Sequence, residues 1–298
     1  MTTLYCGFAA LIGRPNVGKS TLLNNILGRK VSITSRKPQT TRQRILGIQT
    51  DVDHQTIYVD TPGIHSVMPH ALNKYMNKVA VNAARSVDVI LFMSDATRWT
   101  EDDEYVLKSV SKLKVPLLWI INKIDKVEDK EALMPFIDEI SKKYSFTSVI
   151  PISARRVKDV KRLAEVVRGY LPKSEEFLYP PSEVTDRPAP FMIAELIREE
   201  LLNALGEEVP HLLTVAIEKI ERKPNITVIH AVIFVERESH KSIIIGKQGA
   251  RLKAVGERSR KAIELLLECR VYLELWVKVR EGWVDDLKAM RQLGYTED

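Results

Sequence analysis

The stretch "FAALIGRPNVGKSTLLNNILG", Phe8 to Gly28, restricts the possible folds of this chain more than any other. An apolar run, a turn of the form G-x-x-x-x-G-K-S/T and a helix-like run follow one another, and that order gives the match its meaning. Glycines let backbone N–H groups wrap phosphate oxygens at a helix N-terminus, where the dipole favours anions. Gly13, Arg14, Pro15, Asn16, Val17, Gly18, Lys19, Ser20 and Thr21 are therefore read as a nucleotide-binding loop. Lys19 reaches the β- and γ-phosphates as a catalytic group, and Ser20 ligates Mg²⁺.

Three further stretches follow in order. In "DTPGI" Asp60 can hold Mg²⁺ through water and the Gly63 amide can sense a γ-phosphate, with Thr61, Pro62 and Ile64 lining the nucleotide. In "NKID" Asp125 can accept both the N1–H and the amino group of guanine, a donor pair that adenine lacks. Asn122 fixes the site and the base N7, and the Lys123 stem lies over the ring. In "ISA" Ser153 and Ala154 bring a backbone amide to the guanine O6. Together the four stretches lead to the expectation of GTP/GDP binding and GTP hydrolysis.

This set resembles the translation-factor-like GTPases. By that resemblance the loop "TSRKPQTTRQR" is a switch in which Thr41, in preference to Thr40, ligates Mg²⁺ and senses the γ-phosphate. Many relatives place a water-orienting glutamine directly after DxxG, but here Ile64 stands there and cannot hold a water by hydrogen bonding. Asn16 resembles the asparagine with which one branch of these GTPases binds K⁺ near the phosphates, supplying charge that an arginine finger supplies elsewhere. Slow intrinsic turnover follows.

A second glycine loop, "SIIIGKQGARL", is too short for a phosphate loop, has no Ser/Thr after its lysine and stands beside no DxxG or NKxD. It fits the G-x-x-G that clamps single-stranded RNA by its backbone in KH domains, and the strand pair before it resembles the type II order. Gly246, Lys247, Gln248 and Gly249 form the clamp. Lys241, Arg251 and Lys253 offer charge, and Ile245, with Ile243 and Ile244, feeds an apolar groove. Trp276 is expected to pack on a neighbouring helix.

At 298 residues the chain is expected to hold two domains. Residues 1–172 alternate short apolar runs with helix-like stretches, which predicts an α/β GTPase domain with a mostly parallel sheet flanked by helices and one antiparallel edge strand. Residues 173–190 are rich in proline and charge and read as a linker. Residues 191–298, with a C-terminal tail, read as an α+β type II KH domain: helix, strand, strand, glycine loop, helix, strand. The net charge of +6 permits a polyanionic partner. From Pro180 onward 18 Lys/Arg face 20 Asp/Glu, and before it 27 face 19, so the second part is slightly acidic. His240 to Lys261, however, carries seven basic residues against Glu257 alone. Cys6 and Cys269 have no metal-ligand spacing and are expected to be buried thiols in a reducing compartment. With no signal peptide and no apolar run long enough for a bilayer, the chain is expected to be soluble and cytoplasmic.

A GTPase domain followed directly by a type II KH domain closely resembles the bacterial Era GTPases. "GRPNVGKSTLLN", "SITSRKPQTTRQRI", "DTPGIH", "TRWTEDDE", "INKID", "PISA", "TDRPAPFMIAELIREELL", "IIIGKQG" and "LELWVKVREGWVDD" carry the resemblance over nearly the whole chain. It implies a monomeric factor for 30S ribosomal subunit assembly and maturation that binds the 3′ end of 16S rRNA, with loose peripheral contact at the inner face of the cytoplasmic membrane. Two other readings are a GTP-dependent signalling switch whose C-terminal module binds a protein, and an RNA-binding scaffold with a vestigial nucleotide site.

Overall fold

The computed structural model describes residues 3–67, 69–129, 131, 133–206 and 212–296. The chain divides into two compact units. One comprises Met1–Ser32, Thr41–Met68 and Asn73–Asp186, the other Ile33–Thr40, Pro69–Leu72 and Arg187–Asp298. Two short pieces of the GTPase sequence, on either side of "DTPG", thus fall with the second unit.

The first unit is built on β1 (Leu4–Ile12), β2 (Ile45–Thr50), β3 (His54–Asp60), β4 (Val89–Asp95), β5 (Leu117–Asn122), β6 (Ser148–Pro151) and the short β7 (Lys173–Ser174). The strand order is β2-β3-β1-β4-β5-β6, with β7 pairing β1. All neighbours from β3 to β6 run parallel; β2 is antiparallel to β3 and β7 to β1. Every residue of β4 and β5 is buried, as expected of parallel strands covered on both faces. The expected antiparallel edge strand is β2. Its outer edge does not face water alone: the Ile48 N–H donates to the Val184 carbonyl at 2.8 Å and the Leu46 N–H to Asp186 Oδ1 at 3.1 Å. The proline-rich stretch thus lies along the sheet as a covering strap, which its lack of apolar periodicity hides.

Helices α1 (Lys19–Leu27), α2 (Ala71–Arg85), α3 (Glu101–Val110), α4 (Leu133–Lys143) and α5 (Val157–Arg168) connect these strands. The first turn of α3 is wholly acidic and opens on a capping box of Thr100 and Asp103, so its charge opposes the helix dipole. Trp119 is fully buried against Trp99, Phe136 and Phe146, and its indole N–H reaches Ser94 Oγ at 2.8 Å.

In the second unit α6 (Ala189–Ala204), β8 (Leu213–Lys223), β9 (Ile226–Val235), α7 (Glu238–Ile245), α8 (Ala250–Leu267), β10 (Val271–Val279) and α9 (Leu287–Gln292) follow in order. The sheet order is β10-β9-β8, with β10 parallel and β8 antiparallel to β9. The core joins Ile193, Ile197 and Leu201 of α6 to Ile229, Ile233, Val255 and Ile263. Asp285 accepts the Ala71 N–H at 2.8 Å and bonds His70 Nδ1 at 2.9 Å, holding the first residues of α2 within this unit.

Three expectations need correction. Ile244 is fully buried in this core and feeds no groove. Trp276 is 55% exposed, because the strict alternation of β10 turns it and Tyr272 to the uncovered face. Cys269 is exposed at the start of that strand, so only Cys6 is a buried thiol. Among the described residues no helix is long and apolar enough to cross a membrane.

Trp119→Ala is expected to cost about 3–5 kcal/mol, the range for emptying an aromatic core site. Trp276→Ala should cost under about 1 kcal/mol. Chemical unfolding midpoints of the two variants check the contrast.

Candidate nucleotide and RNA sites

The predicted GTP residues gather at the carboxyl ends of the parallel strands, where open α/β sheets bind their ligands. The loop Gly13–Gly18 leaves β1 and enters α1 at Lys19. Gly18 has φ 105°, and a Cβ there would lie 2.3 Å from Asn122 Nδ2, so no side chain fits. Gly63 backs onto Pro15 just as closely, its virtual Cβ 2.6 Å from the Pro15 nitrogen.

Asn122, at the end of β5, holds two loops with one amide. Its Nδ2 donates to the Val17 carbonyl at 2.7 Å, and its Oδ1 accepts the Ala154 N–H at 2.8 Å. Lys123, at φ 67°, donates to the Asn16 carbonyl at 2.7 Å and to Asp95 Oδ2 at 2.6 Å. Its stem therefore crosses the space between phosphate loop and base loop. Asp125 stands exposed in a single helical turn, Ile124–Lys126. The Ser153 N–H is fixed by Asp159 Oδ2 at 2.8 Å.

Ser20, Thr41 and Asp60 lie together. Ser20 Oγ lies 2.9 Å from Thr41 Oγ1 and donates to Asp60 Oδ2 at 2.8 Å; Thr41 Oγ1 reaches the same oxygen at 3.4 Å. Ser32, which sequence reasoning missed, adds a third hydroxyl at 2.8 Å. Burial raises the Asp60 carboxyl above the usual range, and Lys19 with these hydroxyls pulls it back. Asp60 Oδ1 is buried with no partner among the described residues. A divalent cation beside two hydroxyls and a buried carboxylate would satisfy that oxygen, so the donor set fits Mg²⁺. The Thr40 hydroxyl is occupied by the Lys37 carbonyl at 2.7 Å. Thr41 is therefore the threonine that reaches Ser20 and Asp60.

Some predicted contacts turn elsewhere. The Arg14 guanidinium donates to Asp103 Oδ2 at 2.8 Å and to the Arg98 carbonyl at 3.0 Å, bracing the loop against α3. The Thr61 hydroxyl is spent on the Leu11 carbonyl at 2.7 Å. Ile64 is fully buried in the core and donates its N–H to the Gly13 carbonyl at 3.3 Å. Thr61 and Ile64 therefore offer a ligand no side-chain polar group. Asn16 has φ 64°, a left-handed turn position. Asp95 and Asp103 were missed as positioning groups, although Asp95 ends the strand "VDVILFMSD" and Asp103 sits in "TRWTEDDE".

In the glycine loop Gly246 has φ 71°, and a Cβ there would meet the Arg251 Cβ at 2.8 Å. Gln248 also has positive φ, at 50°, and Gly249 has φ 77°. The basic stretch is less free than its composition suggests. The Arg251 guanidinium bonds the Ile243 carbonyl, Arg258 pairs with Glu200 at 2.6 Å, and Arg260 with Glu264 at 2.9 Å. Lys241 lies 3.8 Å from Glu238 and Ile245 is half-buried. Lys247, Gln248 and Lys253 remain exposed, and among the described residues neither lysine has an ion pair.

Comparison with known proteins shows the family and the fold. Residues 8–123 match the family described as 50S ribosome-binding GTPase, and residues 208–284 match the KH domain family. GTPase Era of Pseudomonas aeruginosa is 48% identical over 97% of this chain and 95% of its own length. GTPase Era of Yersinia pestis is 47% identical over 99% and 97%. A crystal structure of Era with MgGDPNP and nucleotides 1506–1542 of 16S ribosomal RNA superposes with a TM-score of 0.93 at 43% identity, covering 98% of this chain and 99% of that one. A variant of Aquifex aeolicus Era bound to GDP.AlF4⁻ gives the same TM-score and identity over 98% and 100%.

Burial lowers the Lys19 amine from 10.5 to about 8, with Asp60 opposing that shift. The unfolded chain then holds more protons than the native one between about pH 8 and 10.5, so the nucleotide-free protein gains stability as pH rises through that window. Below it the cost is fully present. Lys19→Met should therefore stabilise the nucleotide-free protein at pH 7, by up to about 3 kcal/mol, while abolishing nucleotide binding. Thermal unfolding and nucleotide titration measure the two effects.

Proposed function

The chain belongs to the Era GTPases, and from that premise we propose that it is a GTP-hydrolysing switch that binds the 3′ end of 16S rRNA through its second unit during 30S subunit assembly. What supports this reading is the presence in one chain of the grouped nucleotide-motif residues and of a G-x-x-G turn, Gly246 to Gly249, whose Lys247 and Gln248 are exposed. The RNA crystallised with its relative is a small-subunit sequence, which favours the 30S particle over the 50S of the family description.

In this reading the loop amides and Lys19 bind the phosphates, Ser20, Thr41 and Asp60 hold Mg²⁺, and Asp125 selects guanine. Bound Mg²⁺ supplies positive charge to the β- and γ-phosphate oxygens. The Gly63 amide and Thr41 sense the γ-phosphate. Ile64 offers the attacking water no hydrogen bond and Arg14 is committed to Asp103, so neither supplies the usual water-orienting group or a cis arginine. That leaves room for K⁺ at Asn16, with slow turnover. Lys247 and Lys253 meet the RNA phosphates, Lys241, Gln248 and Arg251 flank them, and Ile245 borders the base groove. The protein works in the cytoplasm as a monomer, with peripheral contact at the inner membrane.

GTP favours the RNA-binding arrangement and hydrolysis favours release. The protein should bind RNA of nucleotides 1506–1542 several-fold more tightly with a non-hydrolysable GTP analogue than with GDP, measured by fluorescence anisotropy; equal affinities would sink the coupling. Gly246→Asp should weaken RNA binding about 100-fold or more without changing GDP affinity, because it adds a strained side chain and a negative charge where phosphate approaches. Asp125→Asn should shift preference from GTP to xanthosine triphosphate, whose 2-oxo group accepts where guanine donates.

A further inference from the structure

Arg198 and Glu199 are adjacent on α6 and are 1% and 4% exposed, among side chains that are otherwise apolar. Charges buried this deeply persist only when other groups satisfy them. They do not touch the glycine loop: their partners lie in the segment Ile33–Thr40, which belongs to the same compact unit. Glu199 Oε1 accepts the Thr34 N–H at 2.9 Å and the Thr34 hydroxyl at 3.3 Å. Arg198 Nη2 donates to the Thr40 carbonyl, while its Nε bonds Glu195 Oε1 at 2.7 Å. Glu195 thus fixes the guanidinium, and two neighbouring charges grip the segment at both ends.

The far end of that grip bears on the nucleotide chemistry. The Thr40 carbonyl and the Thr41 N–H share one rigid peptide plane, so by holding that oxygen Arg198 fixes the plane from which the Thr41 Cα and its side chain depart. The Thr41 hydroxyl itself stands 2.9 Å from Ser20 Oγ and in reach of Asp60.

We propose that Arg198 and Glu199 are positioning residues for Thr41: by holding Thr40 and Thr34 they present the threonine to the Mg²⁺ site, and so set the preference for GTP over GDP. The inference rests on Thr41 being the Mg²⁺ and γ-phosphate threonine. It adds that the first helix of the KH unit is the element that reads its placement. Glu195, Arg198 and Glu199 stand in the stretch "AELIREE", where helical periodicity alone would assign the last two to a solvated face.

The test uses the full-length protein as wild type, Arg198→Met, Arg198→Lys and Glu199→Gln. Affinities for GDP and for a non-hydrolysable GTP analogue are measured with Mg²⁺, with and without RNA of nucleotides 1506–1542. GDP makes no γ-phosphate demand on Thr41, so Arg198→Met should keep GDP affinity within about twofold and lose about tenfold for the GTP analogue, within the usual range of coupling energies. Arg198→Lys, which can still donate to a carbonyl, should recover part of the loss, and Glu199→Gln should lose about threefold. The influence of nucleotide on RNA affinity should fall in proportion. An unchanged GTP-to-GDP ratio in Arg198→Met overturns the proposal; should that variant fail to fold, an unchanged ratio in Glu199→Gln does so. If the wild type itself shows no effect of nucleotide on RNA binding, the coupling reading fails instead, and the GTP-to-GDP ratio still decides the role of the two residues.

Discussion

One side-chain amide, that of Asn122, sets the geometry on which the nucleotide site depends. It ends a fully buried parallel strand, so it cannot move without the sheet moving. From there it donates to the phosphate loop and accepts from the loop after β6, tying three strand ends into one rigid frame. Lys123 beside it repeats the device with a charge, bonding the Asn16 carbonyl and Asp95. A loop of glycines would otherwise have too much freedom to aim its amides. The loop is thus ordered from outside, by side chains that themselves belong to the most buried part of the sheet.

Within that frame two opposite charges are kept dry. Lys19 and Asp60 are both nearly inaccessible, and burial shifts each toward its neutral form. A site built this way gives up stability when empty, and an anion beside Lys19 or a cation beside Asp60 would recover it. The three hydroxyls around Asp60 show the same economy: Ser20, Thr41 and Ser32 all converge on one oxygen and leave the other unmatched.

How much of this was legible in the sequence depended on whether the signal was local. The phosphate loop, "DTPG", "NKID" and the G-x-x-G turn could be read because backbone conformation and chemistry are encoded within a few residues. The edge hairpin and the order of elements in the second unit were legible through periodicity and turn residues. What escaped were residues whose role comes from distant partners. Ser32, Asp95 and Asp103 look like ordinary polar positions until the fold brings Asp60, Lys123 and Arg14 to them. Arg198 and Glu199 were misleading in the opposite direction, since charge normally marks a solvated face. Trp276 failed for a similar reason: its size suggested a core position, while the alternation of β10 turned it outward.

The strap along β2 also orders events in time. Leu46 and Ile48 find their outer partners in Asp186 and Val184, and β1 finds β7 at Lys173 and Ser174. Each pairing joins residues well over a hundred positions apart, so the edge stays open until residues 173–186, the last of the first unit, have been made. At about 5–20 residues per second, the unprotected edge stays open for roughly ten seconds or more of synthesis. The same stretch that closes the sheet also leads into α6. The sheet edge is therefore closed by the last residues made of the first unit, immediately before α6 begins.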